Sequence, residues 1–290
     1  MPSDRHEPAS QGVAKAMARS DPTPGRGVGR FLDALAYSSV LAAAVAGTLA
    51  AAASLAFELP LSPFVIALVT SGTLVVYNID RLRDLEQDRP RAPLRSAFVE
   101  RHQRRLGLLT LVAALVSGIS ALGIPRAAVG VCAGVLVLGL LHRRLKLIRG
   151  IKTLYLTVAW LAVVLGLPLL ATRLPPATAS VSWTFAIIGC AILANLLASN
   201  LDRQKADERP RHVADRSRLG SAIVVAGLGV GSALVAPEAL RSLVLIPMAE
   251  LLVLCRFREG EHYRLVMVDG ALLAGACGSI ALLMFSRAAA

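Results

Sequence analysis

The sequence predicts an all-α fold, a polytopic membrane bundle of about nine transmembrane helices with a cytoplasmic N-terminus. Composition comes first: 55% of the 290 residues are hydrophobic and the mean hydropathy is +0.62, which leaves too little polar surface for a soluble globule. The apolar residues also lie in long continuous runs rather than alternating, which favours helices over a barrel, because lipid offers no water to satisfy a strand edge. The third observation is charge placement. Of the 31 Lys and Arg residues, 27 fall in 1–30, 80–105, 142–152, 201–220 and 256–264, and only Arg126, Arg173, Arg241 and Arg287 lie elsewhere. These five stretches are alternate connections, so positive-inside bias assigns them to the cytoplasmic face of the inner membrane and requires an odd number of spans.

Taken in order, residues 1–30 are rich in Ser, Pro, Gly, Arg and Asp, lack an apolar signal core and read as a disordered cytoplasmic tail. The remainder, 31–290, reads as one nine-helix domain. Its apolar runs are 33–57, 61–79, 106–124, 127–141, 153–172, 181–200, 221–236, 239–255 and 265–285, some of them short for the ~20 residues a span needs. Small residues from Ala43 to Ala53 and at Gly227, Gly229 and Gly231 suit close helix approach. Cys132, Cys190, Cys255 and Cys277 stand inside spans without metal-type spacing and read as packing residues. The net charge of +12 reads as contact with anionic lipid head groups, not with nucleic acid.

Two polar segments carry the functional signal. Asn78-Ile79-Asp80-Arg81, with Arg89-Pro90-Arg91 behind it, ends the second run; Asn200-Leu201-Asp202-Arg203, with Arg209-Pro210-Arg211, ends the sixth, 122 positions later. Runs two and six point the same way, so the copies read as a parallel repeat facing a central cavity. Asp80, Asp84 and Asp88 recur every four residues, and a helix continuing past Ile79 would drift only about 40° per step and present all three on one face. Three such carboxylates suit Mg²⁺, which bridges a few carboxylates to phosphate oxygens. The competing reading is a solvated helix end with Arg81 paired to Asp84 or Asp88.

Other groups converge on the same leaflet. Asn195, Ser199 and Asp202 share a face of the sixth helix, while Glu250 and Asp269 lie near the inner ends of runs eight and nine, where ionisable groups are costly and mark function or helix-to-helix hydrogen bonding. Arg144 and Lys152, in the basic loop 142–152, offer cations to phosphate oxygens. Tyr77, Tyr155 and Trp160 offer ring faces to a carbocation.

At these residues the chain resembles the UbiA-type intramembrane prenyltransferase superfamily. Asp80-x3-Asp84-x3-Asp88 resembles its first acidic motif, and Lys152, Trp160 and Leu167-Pro168 resemble the stretch entering its fifth helix. The chain departs from the pattern at Asp80 and Arg81, where the family has Asn and Asp, and in the second segment, where Ser199, Arg203 and Asp207 hold the four-residue register and Asp202 is out of step. The resemblance implies Mg²⁺ held by Asp80, Asp84, Asp88, Asp202 and Asp207, with Asn78, Asn195, Asn200, Arg144 and Lys152 binding substrate. A prenyl group would pass from a prenyl diphosphate to an aromatic or lipid-like acceptor. The alternative is a non-catalytic isoprenoid-binding or lipid-binding protein, or a transporter, of the same architecture.

Overall fold

A computed structural model describes residues 26–90, 92–145, 151–172, 178–199, 201, 209–258 and 260–289; side chains of 26, 140–145, 151, 152, 209–215 and 289 lie outside the description. Among the described residues every regular element is helical. Each of the nine apolar runs folds into helix, yet they are unequal. Among the described residues, six helices are long and apolar enough to cross a membrane: Pro63–Arg83, Pro93–Leu122, Thr153–Ala171, Thr178–Ser199, Arg216–Val235 and Tyr263–Ala288. A seventh crossing requires the pair Gly27–Tyr37 and Val40–Ala56, bent by 73°, to count as one span.

The first helix, α1 (Arg26–Tyr37), begins inside the stretch expected to be tail. Its Ala36 joins Leu41 and Val266 in a small core, while Val28 and Phe31 remain exposed. The bend to α2 (Val40–Ala56) falls at Ser39, whose φ of 64° lies in the left-handed region. That conformation costs a non-glycine residue about 1–2 kcal/mol. Here the fully buried Ser39 hydroxyl donates to Asn78 Oδ1 at 2.8 Å, an anchor that helps offset the strain.

Helix α3 (Pro63–Arg83) starts where Ser62 caps Val65 N and Pro63, lacking an N–H, takes a first-turn position where none is needed. It stops at Arg83; Asp84 is its C-cap, with φ −99° and ψ 11°, and a single turn, α4 (Leu85–Asp88), follows. Next come α5 (Pro93–Leu122), α6 (Arg126–Leu145), α7 (Ile151–Leu161) and α8 (Leu167–Ala171), the last two joined by a π turn over Ala162–Gly166. Pro168 explains that turn, because it cannot donate to the carbonyl one α-turn back and the helix widens instead. Helices α9 (Thr178–Ser199) and α10 (Arg209–Val235) follow.

The run at 239–255 does not form one long helix. It divides into a 3₁₀ segment, Glu238–Val244, and α11 (Leu245–Cys255), and Pro247, missing its backbone donor, stands near the junction. A π segment, Tyr263–Val268, then leads into α12 (Asp269–Ala289).

The core runs through the Ala-rich α2, whose Ala46, Leu49, Ala50 and Ala53 are fully buried against Leu165, Ile187, Ile188, Leu243 and Ile246. Helix α12 crosses α11 closely at Gly275, where an added Cβ would stand 2.5 Å from the Leu245 carbonyl oxygen. Of the four glycines on α10 only Gly229 is packed this way, against Pro247 and Cys190; Gly220, Gly227 and Gly231 face open space. The exposed stripe Leu108, Leu111, Leu115, Ile119 and Leu122 on α5 is a lipid-facing surface, apolar outward at helical spacing.

Candidate functional site

The bundle holds a half-open cavity of about 690 Å³ with an apolar body and a polar end. Its apolar body is lined by Leu68, Val69 and Val75 of α3, Ala114 and Ala121 of α5, Val129 and Cys132 of α6, and Leu167 of α8. Its polar end gathers Asp80, Arg81 and Asp84 from the end of α3, Asp88 from α4, Arg95 from the start of α5, Asn195 and Ser199 from the end of α9, and Glu261, Arg264 and Asp269 from the approach to α12. Antiparallel packing produces this segregation. The polar groups sit at the ends of α3 and α9 and the beginnings of α5 and α12, and all of these ends meet on one side of the bundle.

The first acidic segment contributes all three carboxylates to one cavity, but not as one helical face. The break at Asp84 puts Asp88 on a separate turn, because the chain must fold back within a few residues for Pro93 to open α5. Asp88 Oδ2 accepts from Arg95 at 2.6 Å with both side chains partly buried. Asp84 is buried at 4% exposure. Among the described residues no three His, Cys, Asp or Glu side chains gather closely enough to hold a metal ion by themselves. Asp80 and Asp84, four residues apart at the end of α3, both line this wall, and two carboxylates are a donor set of the kind Mg²⁺ uses when substrate phosphates and waters complete its shell.

Arg81 bonds elsewhere than the spacing suggests. Its guanidinium donates to the carbonyl oxygens of Ala36, at 2.7 Å, and Tyr37, tying the end of α3 to the bend between α1 and α2. Asn78 is buried against Ser39 and does not line the cavity. Asn195 does line it, and its Nδ2 donates to Asp269 Oδ1 at 3.1 Å, a helix-to-helix bond between α9 and α12. Tyr77 and Trp160 meet edge to face, with ring centroids 6.3 Å apart and the indole N–H donating to the Tyr77 hydroxyl at 3.2 Å, and Tyr155 lines the cavity beside them. Asn200, Asp202 and Asp207 lie outside the described residues, as do the side chains of Arg144 and Lys152.

Two participants carry no signal in the sequence. Glu261 accepts from the backbone N–H groups of Leu94, at 3.2 Å, and Arg95, at 2.9 Å, and so caps α5 from a position 166 residues away from Arg95. Arg264 donates to the carbonyl of Leu201, holding the π segment to the end of α9. Both bonds join residues remote in the chain, where no local spacing announces a cap.

Comparison of the chain with protein-family models, with curated proteins and with solved structures finds no match in any of the three.

Proposed function

We propose that the chain is an intramembrane prenyltransferase, which moves a prenyl group from a prenyl diphosphate to an aromatic or lipid-like acceptor with Mg²⁺ as its cofactor. The observation that carries this reading is the segregated cavity: an apolar body matched to a hydrocarbon chain, ending in a polar chamber that Asp80 and Asp84 both line. An amphiphile with a compact charged head and a long apolar tail is the ligand class such a shape suits. Bound Mg²⁺ would supply the positive charge that makes diphosphate a leaving group, with Asp80 and Asp84 as its protein ligands.

The remaining steps belong to the chain's own side chains. The apolar body keeps water from the reacting carbon. As the carbon–oxygen bond to diphosphate breaks, the electron pair leaves with the diphosphate, and the ring faces of Tyr77, Trp160 and Tyr155 stabilise the allylic cation. The acceptor then bonds to that carbon and releases a proton. This reading includes nine crossings, with the N-terminus and the polar chamber on the cytoplasmic side of the inner membrane; the distribution of Lys and Arg supports it.

A second reading, non-catalytic binding of an isoprenoid or other lipid, draws on the Asp88–Arg95 ion pair, which engages one of the three carboxylates. Release of diphosphate from radiolabelled geranyl, farnesyl and geranylgeranyl diphosphates by protein in lipid nanodiscs separates the two. The transferase reading predicts release that requires Mg²⁺, stops in EDTA and is lost in Asp84→Asn. Metal-indifferent binding without release establishes the second reading instead.

A further inference from the structure

Besides Asp80 and Asp84, the polar chamber is built on a second group of acids that the diphosphate does not need. Asp269, at the start of α12, lines the cavity and is held by the Asn195 amide at 3.1 Å. Behind them Glu250 of α11 is fully buried, close to both Asn195 and Asp269, and neither of its carboxyl oxygens reaches hydrogen-bond geometry with any described residue. A buried acid without partners is costly, and native structures keep such groups where a ligand, a water or a proton completes them. Charge sharpens the point. Of the three cavity arginines, Arg95 serves Asp88, Arg264 serves the Leu201 carbonyl, and Arg81, the cation that acts on Asp269, spends its hydrogen bonds on the carbonyls of Ala36 and Tyr37. Tyr77 and Glu250, the other titratable groups near Asp269, are a hydroxyl and an acid rather than cations.

We infer that the Asp269–Asn195–Glu250 wall is the recognition site for the second substrate, and that this substrate presents an O–H or N–H donor and no acid group. Asp269 takes the donor, Asn195 fixes the Asp269 carboxyl, and Glu250 backs the amide as a positioning residue. The Asp269 carboxylate on the cavity lining disfavours a carboxylate or phosphate beside it, so the site favours a neutral or cationic head. Naming this site the acceptor site rests on the transferase reading, whereas its preference for a donor rests on the wall alone.

The test uses three matched amphiphiles, para-decylphenol, its methyl ether and para-decylbenzoate, with bound fractions read by native mass spectrometry of the full chain released from detergent. Wild-type protein is expected to bind the phenol about tenfold or more tightly than the ether or the benzoate, because a site built to hold a donor rejects the analogue that lacks one. Asp269→Leu is expected to erase the difference between phenol and ether, and Asp84→Asn to keep it. Equal binding of the three probes to the wild type, tightest binding of the benzoate, or a phenol preference that survives in Asp269→Leu would each overturn the inference. If Asp269→Leu does not elute as a folded species, the wild-type series decides, and Asn195→Leu, which frees the Asp269 carboxyl to move, is expected to lower the preference severalfold. A retained phenol preference without Mg²⁺-dependent release sinks the transferase reading and leaves the wall's specificity standing.

Discussion

The two walls of the polar chamber hold similar groups by different means. On one, Asp80, Asp84 and Asp88 come from a single stretch at the end of α3, and Asp88 is neutralised by Arg95. On the other, Asn195, Glu250 and Asp269 come from α9, α11 and α12; the Asn195 amide donates to Asp269, and among the described residues no cation hydrogen-bonds to either acid. A wall built from one helix end can balance a charge with an arginine at the start of the next helix, as Asp88 does with Arg95. A wall assembled inside the bundle relies on hydrogen bonds and on how closely its helices approach. The first is suited to a strongly charged ligand held through a counter-ion, the second to a weakly polar one recognised directly.

The largest expected effect separates the walls by chemistry. Asp84→Asn keeps the shape of the side chain but removes a charge beside Asp80, and turnover should fall by about 100-fold or more while binding of para-decylphenol persists. Phenol binding and turnover measured on the same preparation check both halves. Next, Gly275→Leu forces atoms against the Leu245 carbonyl and should push α12 from α11, destabilising the protein by about 3 kcal/mol. Thermal unfolding in detergent, followed by size-exclusion, reads that loss, and Gly227→Leu, made where space is open, should be nearly neutral.

Smaller effects sharpen the contrast. Asn195→Leu removes one interhelical hydrogen bond and should cost about 1 kcal/mol, in the range measured for such bonds in membranes. Arg95→Met breaks the pair with Asp88, and because both side chains keep contact with solvent the cost should be under about 1 kcal/mol. A cost from Arg95→Met larger than that from Asn195→Leu would reverse the ordering of the two walls.

What could be read from the sequence follows the same divide. Helical class, the apolar runs and the clustering of Asp80, Asp84 and Asp88 are properties of neighbouring residues, so composition and spacing reveal them. The break at Asp84 is not, because it depends on how fast the chain must turn for α5 to pack back on α3. Pairing of Arg81 follows local spacing to Asp84 or Asp88 on paper, yet the guanidinium goes to carbonyls exposed by the bend at Ser39, which the sequence does not signal. The short run at 239–255 illustrates the same limit: hydropathy counts its residues, while Pro247 decides that they do not make one continuous helix. Asp269 and Glu250 stand out as costly positions, but only the fold brings both close to Asn195.

The central claim is that the cavity holds a prenyl chain in its apolar body and the diphosphate beside Asp80 and Asp84. Photolabelling tests it most directly, using a farnesyl diphosphate analogue with a benzophenone at the end of its tail, applied with Mg²⁺ in nanodiscs and mapped by peptide mass spectrometry. The account predicts adducts on the cavity's apolar lining, around Leu68, Val69, Ala121 and Val129, competed by unlabelled farnesyl diphosphate and weakened in Asp84→Asn. Adducts confined to the lipid-facing stripe of α5, at Leu108, Leu115 and Ile119, or labelling that unlabelled diphosphate does not displace, would contradict it.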